Sequence, residues 1–167
     1  MLSTVNIIAS VGPRYVIGYR GKIPWSLSNN VRRSQSLVKG HVVLIGRKTW
    51  ESSGRKPIPD CTTVVITRDP AYAVPEGVVV IHDLCEAPRV FGVEKNLFVI
   101  GGEEVFRAFL PVADRLYLTE VNVKFKGDAF FPPYEESFWH NLESPVQGVV
   151  DAENPYPHRF RILRRCR

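Results

Sequence analysis

The chain has 167 residues, of which 44% are hydrophobic, 23% charged and 11% aromatic. That balance fits one ordinary globular domain spanning residues 1–167 and excludes a disordered or collagen-like chain. The net charge of +5 gathers at Arg159, Arg161, Arg164, Arg165 and Arg167, and without a helix-turn-helix or ribonucleoprotein motif these read as a solvated face, not a nucleic-acid surface.

No apolar run approaches the ~20 residues of a membrane span. The opening Met1-Leu2-Ser3-Thr4-Val5-Asn6 lacks the basic stretch of a secretory signal. A cytoplasmic, monomeric protein with no membrane partner is therefore expected. Cys61, Cys85 and Cys166 are an odd number without CxxC or Cys/His spacing, which argues against a disulfide framework or a metal site.

In chain order, the first β-rich run is 5–9. It is followed by a long stretch, 12–25, with three glycines and two prolines. A connection of that length in a compact domain reads as a lid, the alternative being a plain solvated crossover. A helix over 28–38 precedes a buried strand over 41–45, then a short helix over 48–53. Strands follow at 62–67 and 78–81, a weak helix near 83–90, a strand at 97–100, a helix over 103–110 and a strand over 115–119. The segments 117–123 and 160–164 read as antiparallel partners. Short, continuous, β-branched runs alternating with helices predict an α/β fold with a mostly parallel sheet, flanking helices and an antiparallel C-terminal edge.

Three strand ends carry chemistry. Val99-Ile100-Gly101-Gly102-Glu103-Glu104 runs from a strand through paired glycines into a helix, leaving free backbone N–H groups where a phosphate can approach. Leu44-Ile45-Gly46-Arg47-Lys48-Thr49-Trp50 adds two cations and a hydroxyl at a second junction. Ile66-Thr67-Arg68 offers a hydroxyl and a guanidinium, which suits an additional phosphate. Together they describe a dinucleotide site.

These pieces, in this order, resemble dihydrofolate reductase. The resemblance extends through Ile8-Ala9, Val16-Ile17-Gly18, Ile23-Pro24-Trp25, the Gly46 to Ser52 block, Gly101-Gly102, Leu116-Tyr117-Leu118-Thr119, Gly127-Asp128-Ala129-Phe130-Phe131-Pro132 and Phe160-Arg161-Ile162-Leu163. It implies an enzyme that transfers a hydride from NADPH to a small-molecule substrate. It also implies cofactor contacts at Ala9, Ile17, Gly18, Gly46, Arg47, Lys48, Thr49, Thr67, Arg68, Gly101, Gly102, Glu103, Val105 and Phe106. Residues 17–25 would be the mobile loop, braced by Gly127-Asp128. Asn30, Trp25 and Thr119 fall at the catalytic positions, and Ile8, Val31, Ser34, Val38, Ile58, Cys61 and Ile100 at the substrate-binding ones.

The chain departs from the family where the substrate sits. Five residues after the Trp of the Pro-Trp pair, the bacterial members carry an acid that clamps the pterin's amino group and ring N–H; here that position is Asn30. An amide carries no charge and cannot relay a proton. The family's arginine for the glutamate tail of folate falls, with one inserted residue, at Cys61. Ser34 stands one turn after Asn30, on the same helix face, where the family usually has Phe. Asn30 and Ser34 could instead be a solvated polar pair, but Val31, Leu37 and Val38 on neighbouring faces favour a pocket wall. Cys61 reads as a small buried hydrophobe, not a nucleophile. Glu103 and Glu104 replace the family's usual glycine and base, as carboxylates that complement a helix N-terminus.

The reading that follows is an NADPH-dependent reductase acting on a C=N or C=C bond of a substrate other than glutamate-tailed dihydrofolate. Still open are a weak or antifolate-resistant dihydrofolate reductase, a non-catalytic NADPH-binding protein, and a nucleic-acid binder built on the basic tail.

Overall fold

The computed structural model describes residues 3–92 and 95–167. Its centre is a nine-stranded sheet. The strands are β1 (Val5–Val11), β3 (Val42–Gly46), β4 (Thr62–Ile66), β5 (Val79–Ile81), β6 (Leu97–Val99), β7 (Arg115–Val121), β9 (Trp139–Asn141), β10 (Val146–Gln147) and β11 (His158–Arg165). They lie in the order β10-β11-β7-β1-β6-β3-β4-β5, with β9 also paired to β11. From β7 to β5 every pairing is parallel, whereas β11 runs antiparallel to β7, β9 and β10. The α/β architecture with an antiparallel C-terminal edge is the one expected.

Alternation along the strands fills both faces of the sheet, as a parallel sheet requires. Ile7, Leu44, Val99 and Leu116 point into one layer with Phe106 and Phe109 of α4 (Glu103–Phe109) and Ala87 of α3 (Ala87–Phe91). Val43, Phe98, Ile8 and Tyr117 point the other way, against Leu37 and Val38 of α1 (Ser28–Val38). Beside them Ile45 and Val65 bury Trp50 of α2 (Arg47–Ser52).

Two expectations are corrected. The stretch 12–25 is not a plain loop: Val16–Gly18 forms β2, which pairs antiparallel with β8 (Ala129–Phe130) as a separate two-stranded sheet. Three residues are too few for a periodic signal, and the partner lies over a hundred residues away in sequence. The basic tail is not a wholly solvated face. Arg161 is only 8% exposed, and its guanidinium reaches Glu120 and Glu136 at 3.3 Å each. Arg165 stacks on Trp139 with 4.4 Å to the ring centroid. Strand alternation turns these two arginines onto the sheet, where carboxylates and an aromatic ring receive them. The weak helix at 83–90 resolves into a single turn, Leu84–Glu86, followed by α3.

α1 is not capped by its own sequence. Its N-cap position is Leu27, whose side chain offers no acceptor. The first-turn Asn29 N–H instead donates to Asn154 Oδ1 at 2.8 Å, and Ser28 N–H donates to the Glu153 carbonyl at 3.3 Å. Asn154 is buried and is held by Asp151, whose carboxylate accepts from both its backbone N–H (2.8 Å) and its side-chain Nδ2 (3.0 Å). A loop distant in sequence thus sets where the helix carrying Asn30 begins.

Candidate functional site

The site residues converge beyond the carboxyl ends of the parallel strands, where α/β sheets bind ligands. Asn30, in the first turn of α1, faces Thr119 near the end of β7. The Thr119 hydroxyl donates to Asn30 Oδ1 at 2.6 Å. That separation suits O–H···O and is short for N–H···O, so it fixes which way the amide points. Thr119 lies beside Ser10 in the β1–β7 register, and Trp25 Nε1 donates to Ser10 Oγ at 2.7 Å. Trp25 is buried against Phe125 and Gly12. Asn30 and Thr119 therefore meet directly, and Trp25 joins them through Ser10, which the sequence reading did not single out.

Behind this polar end is an apolar wall. Val38, Leu37, Ile58, Cys61, Ile8 and Ile100 pack with Val43, Phe98 and Tyr117. Ser34 is half-buried one turn from Asn30, whereas Val31 is 53% exposed and is not part of the wall. Cys61 Sγ lies 3.4 Å from the Ile58 carbonyl, and burial pushes its thiol up, so it stays protonated and behaves as the small hydrophobe expected. Arg33, a turn after Asn30, lays its guanidinium on the Phe160 ring at 4.4 Å from the centroid. Phe160 is the β11 residue registered opposite Thr119. A cation thus stands on the residue paired with Thr119. Burial pushes Arg33 down, and Glu143 and Tyr117 partly offset that.

The glycine junctions form a second half of the site. Gly46 N–H donates to the Gly101 carbonyl at 2.8 Å. A Cβ on Gly46 would come within 3.0 Å of Val105 Cγ2, and one on Gly102 within 2.9 Å of Thr49 Oγ1. Gly101 adopts φ +131°, a conformation that side chains disfavour. Two helix N-termini, α2 and α4, therefore approach each other so closely that only glycine fits at Gly46 and Gly102. Lys48 and Arg68 are exposed and make no ion pair among the described residues. Thr67 Oγ1 accepts from Asp69 N–H, and the Thr67 carbonyl accepts from the His82 ring at 2.9 Å, which brings His82, another residue not singled out, beside Arg68. Arg47 bonds Glu51 at 3.1 Å and lies over Tyr72. The Tyr72 hydroxyl and Arg47 hold the Glu51 carboxyl below its usual range. This cradle of backbone donors and cations fits a phosphorylated dinucleotide.

Glu103 does not crowd that cradle. Its Oε1 accepts from Phe130 N–H at 3.2 Å and lies 3.7 Å from Arg107, so the carboxylate is turned toward β8. Ala9 and Phe106 are buried in the core layer, with Ile17 and Val105 partly buried against it, and Gly101 lies on the Phe106 ring. Gly18 pairs with Ala129. The segment after it is tied to Asp128, whose carboxylate accepts from Arg20 N–H at 3.0 Å and whose own N–H donates to the Gly18 carbonyl at 3.0 Å.

The sequence profile of the dihydrofolate reductase family matches residues 4–165. The chain belongs to that family. It is 38% identical over 160 residues to dihydrofolate reductase from Staphylococcus aureus (strain Mu50 / ATCC 700699), covering 96% of this chain and 97% of the relative. It is 35% identical over 156 residues to that from Bacillus subtilis (strain 168), covering 93% and 91%. The solved structure of dihydrofolate reductase from Enterococcus faecalis complexed with NADP(H) and RAB-propyl superposes with a TM-score of 0.91 at 34% identity, over 98% of this chain and 97% of that one.

Proposed function

We propose that this member of the dihydrofolate reductase family is an NADPH-dependent reductase whose substrate is a ring compound other than glutamate-tailed dihydrofolate. When bound, NADPH supplies a hydride to the carbon of a C=N or C=C bond. A proton from water goes to the partner atom, so that NADPH leaves as NADP⁺. The chain's part is to bind, orient and exclude water. Gly46, Gly101 and Gly102 admit the pyrophosphate, Lys48, Thr67 and Arg68 receive the 2′-phosphate, and the segment 17–25 covers the reacting ring, with Trp25 anchored on Ser10. Asn30 and Thr119 orient the ring's polar edge without moving a proton, since neither titrates in an ordinary range.

The observation that carries the reading is the Asn30–Thr119 hydrogen bond of 2.6 Å. An amide, not a carboxylate, is the partner of Thr119 there. The other end supports the same reading, because Cys61 sits in the apolar wall where a carboxylate tail would need a cation. The 38% identity to dihydrofolate reductase favours a second reading, a dihydrofolate reductase of low activity. Oxidation of NADPH by the wild-type protein with dihydrofolate separates the two. A rate at neutral pH like that of an ordinary dihydrofolate reductase would overturn the first.

A further inference from the structure

Glu103 stands where the cofactor half of the site meets the brace of the lid. It is the first residue of α4, next in the chain to the Gly101-Gly102 junction, and its Oε1 accepts from the Phe130 N–H of β8 at 3.2 Å. β8 and its flanks hold the start of the lid: Phe131 N–H donates to the Tyr15 carbonyl at 2.7 Å, and Asp128 N–H donates to the Gly18 carbonyl at 3.0 Å. Successive N–H groups of a strand point to opposite edges. With Phe131 N–H turned toward β2, Phe130 N–H faces away from it and needs a partner outside this two-stranded sheet. The Glu103 carboxylate is that partner.

The carboxylate has a second destination. α4 begins without a side-chain cap, since its N-cap residue is Gly102, and its first N–H groups are open. A helix start draws an acid of its first turn toward those groups. Against that pull stand the Phe130 bond of 3.2 Å and the Arg107 guanidinium at 3.7 Å, neither of them short, on a side chain that is 32% exposed. A phosphate seated at Gly101-Gly102 takes up the open N–H groups and repels a second anion there. The place on Phe130 is then the one left for the carboxylate. The Phe106 and Phe131 rings also join α4 to this region, at 5.2 Å between centroids, but an apolar contact does not answer to charge.

We propose that Glu103 is a positioning residue: its carboxylate, kept on the Phe130 N–H by a phosphate at the Gly101-Gly102 junction, holds the brace of the lid more firmly when the dinucleotide is bound. This rests on the pyrophosphate lying at that junction, as in the proposed function, and does not depend on which ring is reduced.

The test is amide exchange in heavy water, followed residue by residue by nuclear magnetic resonance, on the full chain free and saturated with NADP⁺, with saturation checked by calorimetry. In wild type, NADP⁺ should slow exchange of the Phe130 N–H about fivefold or more, the low end of coupling between sites, and the Asp128 and Phe131 N–H groups should slow with it. Glu103→Gln keeps the acceptor and removes the charge, so Phe130 should be protected in the free protein and change by less than about twofold with NADP⁺. Glu103→Ala should leave Phe130 in fast exchange with or without NADP⁺, while Leu163, paired with Leu116 in the main sheet, exchanges as in wild type. No slowing of Phe130 in wild type, the same slowing in Glu103→Gln, or a protected Phe130 in Glu103→Ala would each overturn the proposal. Failure of NADP⁺ to bind would overturn it together with the cofactor site, whereas brisk dihydrofolate reduction would overturn the non-folate reading and leave the role of Glu103 standing.

Discussion

Asn154 lies far from the chemistry yet determines where α1 starts, so replacing it measures how strongly that start is held. Asn154→Ala removes the acceptor for the Asn29 N–H (2.8 Å) and the Nδ2 donor to Asp151 (3.0 Å). The first loss is that of a helix cap, and the second is a charge-assisted hydrogen bond. The cap alone comes to about 1–2 kcal/mol, which in a domain of this size lowers Tm by roughly 2–8 °C. The effect should also depend on pH. The Asn154 side chain, with backbone N–H groups, holds the Asp151 carboxyl below its usual value. A carboxyl lowered on folding stabilises above its unfolded pKa of about 4 and loses that contribution as pH falls. The wild-type advantage over Asn154→Ala should thus be full at neutral pH and shrink below about pH 4. Thermal unfolding of both proteins followed by circular dichroism across that range checks it. A Tm within about 1 °C of wild type at pH 7 would mean that α1 nucleates without the remote cap.

Arg68→Ala should weaken NADPH binding by about tenfold or more while leaving NADH nearly unchanged; equal wild-type affinities for the two dinucleotides, by fluorescence titration, would remove the 2′-phosphate role from Thr67 and Arg68. Asp128→Ala, which releases Arg20 N–H and thereby the segment after β2, should lower turnover more than NADPH affinity, and an unchanged turnover would refute the lid. Burial and Glu136 raise the Tyr134 phenol to about 12. A phenol raised on folding stabilises below its unfolded value and loses that contribution as pH climbs through the folded one, so unfolding should become easier between about pH 10 and 12. Tyr134→Phe should flatten that part of the stability profile.

Much of this architecture is written in local sequence, and what is not has an identifiable cause. The parallel strands were legible because both their faces are buried, so Val42-Val43-Leu44-Ile45 reads as one apolar run. α1 was legible with its exact bounds, although its cap was not, because Asn154 comes from a segment over a hundred residues on. β2, β8, β9 and β10 have two or three residues each, too few for a period of two to show. At the site, the junctions at Gly46 and Gly101-Gly102 announced themselves by composition. Asn30 emerged only from the resemblance, as the residue five after Trp25, and its bond to Thr119 is what the structure adds. Ser10 and His82 escaped notice because a lone serine or histidine carries no pattern. The tail arginines misled for a related reason: charge is visible in a sequence, but the partners Glu120, Glu136 and Trp139 that bury it are not.

The proposed function turns on charges absent from the substrate half of the site, and restoring them tests it most directly. Steady-state NADPH oxidation with dihydrofolate should be measured against pH for wild type, Asn30→Asp, Cys61→Arg and the double variant. Each restored charge-assisted contact is worth on the order of 1.5–3 kcal/mol, so each should gain about one to two powers of ten in kcat/KM. Asn30→Asp should raise kcat and introduce a pH dependence that the wild-type amide lacks, and Cys61→Arg should act mainly on KM. Brisk wild-type reduction of dihydrofolate at neutral pH, or no gain from Asn30→Asp, would contradict the claim that Asn30 replaces a catalytic acid and turns the enzyme to another substrate.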